Sequence, residues 1–297
     1  MTGFETSTPA SCPRPSRRRC LLALSSLVAT GCRSSNRPTP DQGRRVVSLT
    51  PNTTETIHAV GAGDTLVGRS RYCDHPPEVT SLPAVGGYVD PSLEAILALR
   101  PDLVTGARGP SGRSLFDKLQ QRGIACYFPP TESVDEIATM IRGLAERLQV
   151  RPRGEDVVRS MRRHLANVAQ TVDGKPKPRT LLVFGKSPTI AAGPGSFPDE
   201  MLRLAGCRNA VRSGTHYPAL GFETILGLDP DLIIDATMAG GRSGAPISKD
   251  SPGWSSVHAV QRGDIRIIDD DRVLRPGPRV AEGVALLARL AHPGIAT

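Results

Sequence analysis

A twelve-residue stretch occurs twice in this 297-residue chain, and it constrains the fold more than any other feature. The first copy, LEAILALRPDLV, occupies residues 93–104, and the second, FETILGLDPDLI, occupies residues 222–233. Seven of the twelve positions are identical, and Tyr88 and Tyr217 precede the glutamates of their copies by the same six residues. The repetition predicts an internally duplicated protein. Each half would carry an aromatic loop, a short helix with an outward glutamate, and a strand.

The chemistry of the first copy predicts its local structure. Asp90 is a suitable helix cap, and Leu93, Ile96 and Leu97 lie at helical spacing and form one apolar stripe. Glu94 lies off that stripe near the helix start, where the helix dipole favours a carboxylate. The following proline ends the helix and a buried strand begins. Many α/β proteins contain such a unit once, so it is the matched second copy that favours duplication.

Short apolar strands alternate with amphipathic helices on both sides of one long helical pattern. This order predicts an α/β protein of two lobes, each with a central, mostly parallel sheet flanked by helices, joined by one long rigid helix. The predicted boundaries are 45–152 for the N-terminal α/β lobe, 153–173 for the connecting segment and 174–297 for the C-terminal α/β lobe. The helix within the connecting segment is predicted at Glu155–Val172.

The beginning of the chain is typical of an export signal. Residues 1–31 contain three consecutive arginines at 17–19, then an apolar run too short to span a bilayer, and residues 32–44 form a polar tether. The motif Ala-Thr-Gly-Cys that ends at Cys32 resembles a bacterial lipoprotein signal. It implies lipidation of Cys32 and a periplasmic or cell-envelope protein anchored to a membrane. An ordinary cleaved signal peptide is the alternative.

The charge distribution, the cysteine count and the absent catalytic motifs limit the kinds of function that the sequence supports. The net charge is +8, but the basic residues are spread without lysine-rich runs, so nucleic-acid binding is weakly supported. Beyond the signal region Cys73, Cys126 and Cys207 remain, an odd number from which no disulfide pairing can be predicted. The chain lacks the G-x-S-x-G, H-E-x-x-H and P-loop motifs, so we expect a non-enzymatic protein without a metal or enzyme cofactor.

Several stretches resemble the helical-backbone class of periplasmic substrate-binding proteins, which serve ABC importers of cobalamin, haem and ferric siderophores. They are VVSLTP at 46–51, GGYVDPSLE at 86–94, the two Pro-Asp-Leu phrases, and RPGPR at 275–279. The resemblance covers nearly all of residues 45–292 and is strongest for the cobalamin-binding members. It implies a monomer with a ligand cleft between two lobes, and little lobe closure about the long helix.

The same resemblance implies which residues bind the ligand. Tyr88 and Tyr217 match an aromatic residue in each lobe, and Asp271 and Arg275 match a charged pair in the C-terminal loop. Tyrosine offers a flat macrocycle a rigid apolar face with a polar tip, and the charged pair can accept from and donate to amides. The implied transported ligand is therefore cobalamin or a related corrinoid, whose ring is fringed with amides.

Glu94 and Glu223 match the glutamates with which the family meets arginines on the two copies of its permease, so the resemblance implies docking to a permease dimer.

Two departures from the family pattern leave the identity of the ligand open, because Ala107 and Ile190 stand where related cobalamin binders carry aromatic residues. Either matched tyrosine could instead bind haem iron through its phenolate. A haem or ferric-siderophore binding protein of an ABC importer therefore remains the alternative.

Overall fold

Two sheets, one in each half of the chain, form the framework of the protein. The computed structural model describes residues 44–107, 112–240 and 245–295. The elements of the first half are β1 (Val46–Ser48), α1 (Pro51–Ala59), β2 (Leu66–Arg69), α2 (Leu93–Ala98), β3 (Leu103–Thr105), α3 (Gly112–Gln120), β4 (Ala125–Tyr127) and α4 (Val134–Arg147). The strands pair in parallel in the order β2-β1-β3-β4. The predicted signal and Cys32 lie outside the described residues.

The second half has a larger, mixed sheet. Its elements are α5 (Arg151–Val172), β5 (Arg179–Lys186), β6 (Thr189–Ala191), α6 (Phe197–Leu204), β7 (Arg208–Asn209), β8 (Ala219–Leu220), α7 (Phe222–Leu228), β9 (Leu232–Asp235), α8 (His258–Arg262), β10 (Ile265–Ile267) and α9 (Val280–Ala291). The strand order is β10-β9-β5-β6-β8, with β7 beside β5. Strands β10, β9, β5 and β7 are parallel, whereas β6 and β8 are antiparallel additions.

Helix α5 is the predicted connecting helix, and it packs against helices of both halves. It begins at Arg151 rather than at Glu155 because Pro152 fits the first turn, where no backbone donor is needed. Its buried stripe contacts α4 of the first half and α6 and α9 of the second. One apolar core continues through these helices into both halves. The predicted fold class is confirmed, and the residue boundaries given for the lobes stay predictions.

Both copies of the repeated stretch fold into a helix followed by a buried parallel strand. In the first copy the aspartate of the Pro-Asp pair, Asp102, accepts a 2.8 Å hydrogen bond from the backbone N–H of Arg45, just before β1. In the second, Asp231 accepts a 2.8 Å bond from the backbone N–H of Arg179, at the start of β5. Each aspartate therefore ties its own strand to the first strand of its sheet.

The cap of α2 differs from the sequence-based expectation. Ser92 caps the helix, because its Oγ accepts from the backbone N–H of Ala95 at 3.2 Å, so the prediction that Asp90 has this role is wrong. An antiparallel backbone bridge between Gly86 and Pro91 closes a loop in which residues 88–90 are bends, so the helix starts only after Ser92. Asp90 instead forms a 2.5 Å ion pair with Arg71. Within the described part of the chain, no helix has the length and apolar character that crossing a bilayer requires.

Candidate functional site

The two tyrosines that precede the repeated stretch lie near one carboxylate. Tyr217 belongs to the second half, in the loop before β8, and its hydroxyl donates a 2.9 Å hydrogen bond to Glu132, which precedes α4 in the first half. Tyr88 lies close enough to Glu132 for that charge to raise its pKa. The tyrosines keep 38% and 44% of their surfaces exposed, so a ligand can reach both. The structure therefore brings together two residues that are 129 positions apart in sequence.

Burial and the Glu132 charge keep both phenols protonated. For Tyr217 the largest cause of the raised pKa is burial, followed by the charge and the hydrogen bond of Glu132 and then by the nearby Tyr88 phenol. For Tyr88, burial again comes first and the Glu132 charge second. Ionising either phenol would place a second negative charge beside the carboxylate, which is unfavourable in a partly desolvated site. The site therefore presents neutral phenols and one carboxylate.

The Glu132 carboxylate belongs to the first half and is held by two donors of the second half. The carboxylate oxygen that meets Tyr217 also accepts a 3.1 Å hydrogen bond from the backbone N–H of Phe197, the first residue of α6. Two residues along the chain, the backbone N–H of Val134 donates to the Glu200 carboxylate at 2.7 Å. These bonds join the start of α4 to the start of α6. The Phe197 and Tyr217 bonds therefore fix the position of the Glu132 carboxylate, while the Val134–Glu200 bond holds the two helix starts together.

A third aromatic residue, Tyr72, lies next to the Tyr88 loop. A side chain added at Gly87 would meet the Tyr72 ring at 3.0 Å, so the ring covers the backbone immediately before Tyr88. The ring is 52% exposed, and the Arg71 guanidinium lies 5.8 Å from its centre. The sequence did not predict a role for Tyr72. Its signal was an aromatic residue in a proline-stiffened loop, which many surface loops share.

Asp271 and Arg275 belong to a cluster of charges that joins the C-terminal loop to the first half. The Arg275 guanidinium contacts Glu55 at 2.8 Å, Asp74 at 2.7 Å and Asp271 at 2.5 Å. Arg279 makes two further 2.8 Å bonds to Glu55, whose side chain is only 2% exposed. The predicted pair is thus in direct contact, and most of its charge is already neutralised by neighbouring residues.

The charged side chains of this cluster pair with one another, and this pairing offsets the free-energy cost of burying their charges. Burial lowers the pKa of Arg275, but hydrogen bonds to Glu55 and Asp74 outweigh it, so the net pKa is raised. Burial raises the pKa of Asp271, although the two arginines oppose this shift. A buried carboxylate such as Glu55 needs these partners, since an unpaired buried charge is costly. Sequence reasoning missed Glu55, because nothing in its local sequence indicates a partner 220 residues away.

The tyrosines and the charged pair line different parts of the surface. A cavity of about 710 Å³ is lined by Asp74, Asp271 and Arg279 among others, and by neither Tyr88 nor Tyr217. The loop that carries Tyr72 and Asp74 connects the two regions, since Tyr72 adjoins the Tyr88 loop and Asp74 binds Arg275. The structure therefore brings the two tyrosines near each other in one region and Asp271 into contact with Arg275 in the other, and their role in ligand binding stays a prediction.

Glu94 and Glu223 occupy equivalent exposed positions. Each lies in the first turn of its helix, α2 or α7, with the carboxylate on the solvent side. The isoleucines two residues later, Ile96 and Ile225, are fully buried and fix the helices against their sheets. Two like charges are thereby presented on two similar, anchored helices, an arrangement suited to a partner with two basic contact points.

The described histidine, cysteine and acidic side chains form no candidate metal cluster, and the cysteines are free thiols. Across residues 44–107, 112–240 and 245–295, no group of three or more histidine, cysteine or acidic side chains could hold a metal ion. Cys73, Cys126 and Cys207 are free thiols, and burial raises the pKa of Cys126 and of Cys207 to about 11. The arrangement can bind a ligand through phenols, carboxylates and a guanidinium.

Comparison with known proteins identifies what the chain resembles. Residues 46–272 match a family model described as periplasmic binding protein. An uncharacterized ABC transporter substrate-binding lipoprotein of Bacillus subtilis is 29% identical, over 84% of this chain and 80% of its own length. The structure of the periplasmic vitamin B12-binding protein of Vibrio cholerae superimposes with a TM-score of 0.72 at 28% identity, covering 84% of this chain and 96% of that one. The apo periplasmic heme-binding protein of Roseiflexus sp. RS-1 gives 0.72 at 25% identity, covering 84% and 100%.

Proposed function

Because the chain belongs to the periplasmic binding protein family, we propose that it binds cobalamin or a related corrinoid outside the cytoplasm and delivers it to the permease of an ABC importer. Proteins of this family are transport components without enzymatic activity. The relatives named for vitamin B12 and for the ABC transporter support this proposal, and the bound corrinoid is a transported ligand rather than a cofactor.

The observation that carries the proposal is the convergence of Tyr88 and Tyr217 beside Glu132. The two exposed rings come from opposite halves, so together they offer apolar faces to a broad, flat molecule. The phenol oxygens and the carboxylate add hydrogen-bond acceptors beside those faces. A corrin ring fringed with amide N–H donors matches this combination of flat apolar surface and acceptors.

Asp271 and Arg275 are proposed as polar contacts at the other end of the ligand. Asp271 lines the cavity beside the charge cluster, and its pKa, raised by burial, shows that the ionised carboxylate lacks full solvation. An amide donor would supply part of that missing solvation. Arg275 would act mainly by holding Asp271, since its guanidinium already contacts three carboxylates.

Glu94 and Glu223 are proposed as the docking contacts for a permease dimer. Their equivalent exposure on α2 and α7 supports this role, because a twofold partner can present one basic site to each. Lipidation at Cys32 is proposed as the membrane anchor, on the strength of the signal-like sequence that precedes it. One chain per docked complex is proposed, since each half supplies one of the two glutamates.

Haem is a second candidate, supported by the similarity to haem-binding structures. Coordination by either site tyrosine would require its phenolate, the form that Glu132 and burial oppose through the raised pKa values. The corrinoid proposal avoids this difficulty, because neutral phenols suffice for stacking and for accepting hydrogen bonds. Binding of a corrinoid therefore needs no ionisation of the tyrosine pair.

Titration of the purified protein with cyanocobalamin in an isothermal calorimeter tests the proposal, with hemin titrated in parallel by absorbance. We expect saturable binding of cyanocobalamin at a single site, and weaker binding of hemin. Replacing Tyr88 and Tyr217 together by alanine should abolish cyanocobalamin binding, because both apolar faces are lost. Tight hemin binding without any cyanocobalamin heat would transfer the assignment to haem.

A further inference from the structure

The geometry points to Glu132 as the residue that sets ligand specificity, by fixing Tyr217 as a hydrogen-bond acceptor and by placing a negative charge behind the tyrosine pair. This inference rests on the proposed function and goes beyond it, because Glu132 belongs neither to the repeated stretch nor to the resemblance that implied the other site residues. It names the class of ligand that Glu132 selects, an amide-fringed macrocycle, and the class that it rejects, a macrocycle fringed with carboxylates.

The first step of the inference concerns the proton of Tyr217. A tyrosine hydroxyl has one proton to donate and lone pairs that accept. Because that proton is donated to Glu132 at 2.9 Å, the oxygen has only lone pairs left for a ligand. The hydrogen bond from the Phe197 backbone to the same carboxylate oxygen keeps Glu132 in place. Tyr217 is therefore oriented as an acceptor before any ligand arrives.

The second step concerns charge. Glu132 bonds the Tyr217 hydroxyl at 2.9 Å and its charge also acts on the Tyr88 phenol, so its carboxylate lies close to both phenol groups that a ligand would use. An amide side group can donate N–H to the tyrosine oxygen and gains from the negative charge behind it. A carboxylate side group, such as a haem propionate, has no proton to donate at neutral pH and is repelled by the like charge. Specificity then arises from attraction of one class and repulsion of the other.

Glu132→Gln is the informative variant, since glutamine keeps the shape and one acceptor but removes the charge. We expect weaker cyanocobalamin binding and stronger hemin binding, with the ratio of the two dissociation constants shifting toward hemin by about tenfold. The matched control is Glu200→Gln, because Glu200 joins the same two helices through the Val134 backbone at 2.7 Å and pairs with Arg203 at 3.1 Å. The control should leave the ratio unchanged.

A second measurement follows the tyrosine itself. Ultraviolet absorbance of tyrosinate, recorded during an alkaline titration, should show Tyr217 and Tyr88 ionising at lower pH in Glu132→Gln than in the wild type. The cause is loss of the Glu132 charge, which adds to burial in raising the pKa of both phenols in the native protein. Introducing Tyr217→Phe into both backgrounds should remove the Tyr217 part of this difference and leave the Tyr88 part. A purely structural role for Glu132 would not move this signal selectively.

Tyr217→Phe alone keeps the charge and removes the acceptor, so it provides a test that does not depend on the folding of a Glu132 variant. We expect cyanocobalamin affinity to fall while hemin affinity changes little. Three outcomes would overturn the role of Glu132 and leave the proposed function standing. They are an unchanged affinity ratio in Glu132→Gln, an equal shift of the ratio in Glu200→Gln, and full cyanocobalamin affinity in Tyr217→Phe. Wild-type protein that binds neither ligand, or prefers hemin, would overturn the proposed function and the specificity role together.

Discussion

The two copies of the repeated stretch share their buried side and differ on their exposed side. Ile96 and Ile225 are both fully buried, and the strands that follow them are buried in parallel sheets. On the exposed side, Leu93 is half-buried, whereas Phe222 in the equivalent position is 38% exposed. The comparison shows that packing against a sheet fixes one face of each helix and leaves the other face free to diverge.

The divergence extends to the surroundings of the two glutamates. Phe222 stacks edge-on against Trp254, with ring centres 5.7 Å apart, and Leu226 beside it is 43% exposed. Glu223 therefore stands within exposed apolar surface, whereas Glu94 is flanked by the half-buried Leu93. A partner protein would therefore contact two equal charges whose surrounding surfaces differ. We infer that the second copy contributes apolar contacts to docking that the first copy does not.

The largest expected effect is the loss of transport when both charges are removed. Glu94→Ala combined with Glu223→Ala should abolish corrinoid uptake by cells while the purified protein still binds cyanocobalamin, because both glutamates are exposed side chains proposed as docking contacts and not as ligand contacts. Of the single variants, Glu94→Ala should reduce uptake more, since Phe222 and Leu226 retain apolar contacts at the second copy. Uptake of labelled cobalamin, in cells that lack their own binding protein, measures the effect.

Asp156→Ala serves as the control for that experiment, because Asp156 is an exposed carboxylate on α5 with a 67% exposed side chain. It should leave uptake unchanged. Normal uptake by the double variant would refute the docking role of both glutamates. Equal losses in the two single variants would instead remove the functional difference between the copies.

The sequence allowed prediction of those features that depend on near neighbours. The repeated helices and strands, the long α5 helix and the Ser133 cap of α4, whose Oγ accepts from the Glu136 N–H at 3.2 Å, were all predictable from patterns within a few residues. The bond from Tyr217 to Glu132 was not, since the two residues lie 85 positions apart. Neither was the attachment of Arg275 to Glu55, across 220 positions.

The physical reason is that long-range polar partners leave no local trace. A glutamate before a capping box has the same local chemistry whether it faces water or a tyrosine of the other half. The antiparallel strand β6 was likewise missed, because Thr189–Ala191 contains one large apolar residue and shows neither an apolar run nor an alternating pattern. The family resemblance supplied Tyr88, Tyr217, Asp271 and Arg275 as candidates, and the fold supplied the residues that hold them.

The next comparison concerns Asp102 and Asp231, which tie their strands in the same way. Asp231 adds an ion pair with the Arg179 guanidinium at 3.2 Å, whereas the Arg45 guanidinium donates to the Leu99 carbonyl at 2.8 Å. Both aspartates are partly exposed, which reduces the value of their charges. We expect Asp231→Ala to lower the free energy of unfolding by about 2 kcal/mol and Asp102→Ala by about 1 kcal/mol. Urea denaturation at neutral pH measures the free energy of unfolding of both variants. An equal decrease in the two variants would contradict the larger contribution expected from Asp231.

At acidic pH the difference in the free energy of unfolding between the wild type and Asp231→Ala should become smaller. The pKa of Asp231 is lowered, first by the hydrogen bond from the Arg179 backbone and then by the Arg179 side chain. A carboxyl with a lowered folded-state pKa stabilises the protein above its unfolded value of 3.8, and this stabilisation is lost as the pH falls through the folded pKa. Denaturation midpoints measured at about pH 7 and about pH 3 should therefore converge in acid. A constant difference would exclude this electrostatic contribution.

The smallest expected effects lie at the two helix starts. Ser92→Ala removes the hydroxyl that caps α2 and should lower the free energy of unfolding by about 1 kcal/mol. Helix α7 begins at Gly221 without a side-chain cap, with φ −81°, and a Cβ there would meet nothing within 4 Å. Gly221→Ser should therefore raise stability by a few tenths of a kcal/mol, since serine can supply the cap that only the first copy has. Thermal unfolding measures the stability change in each variant. A loss of stability in Gly221→Ser would show that the start of α7 cannot adopt the capped geometry of α2.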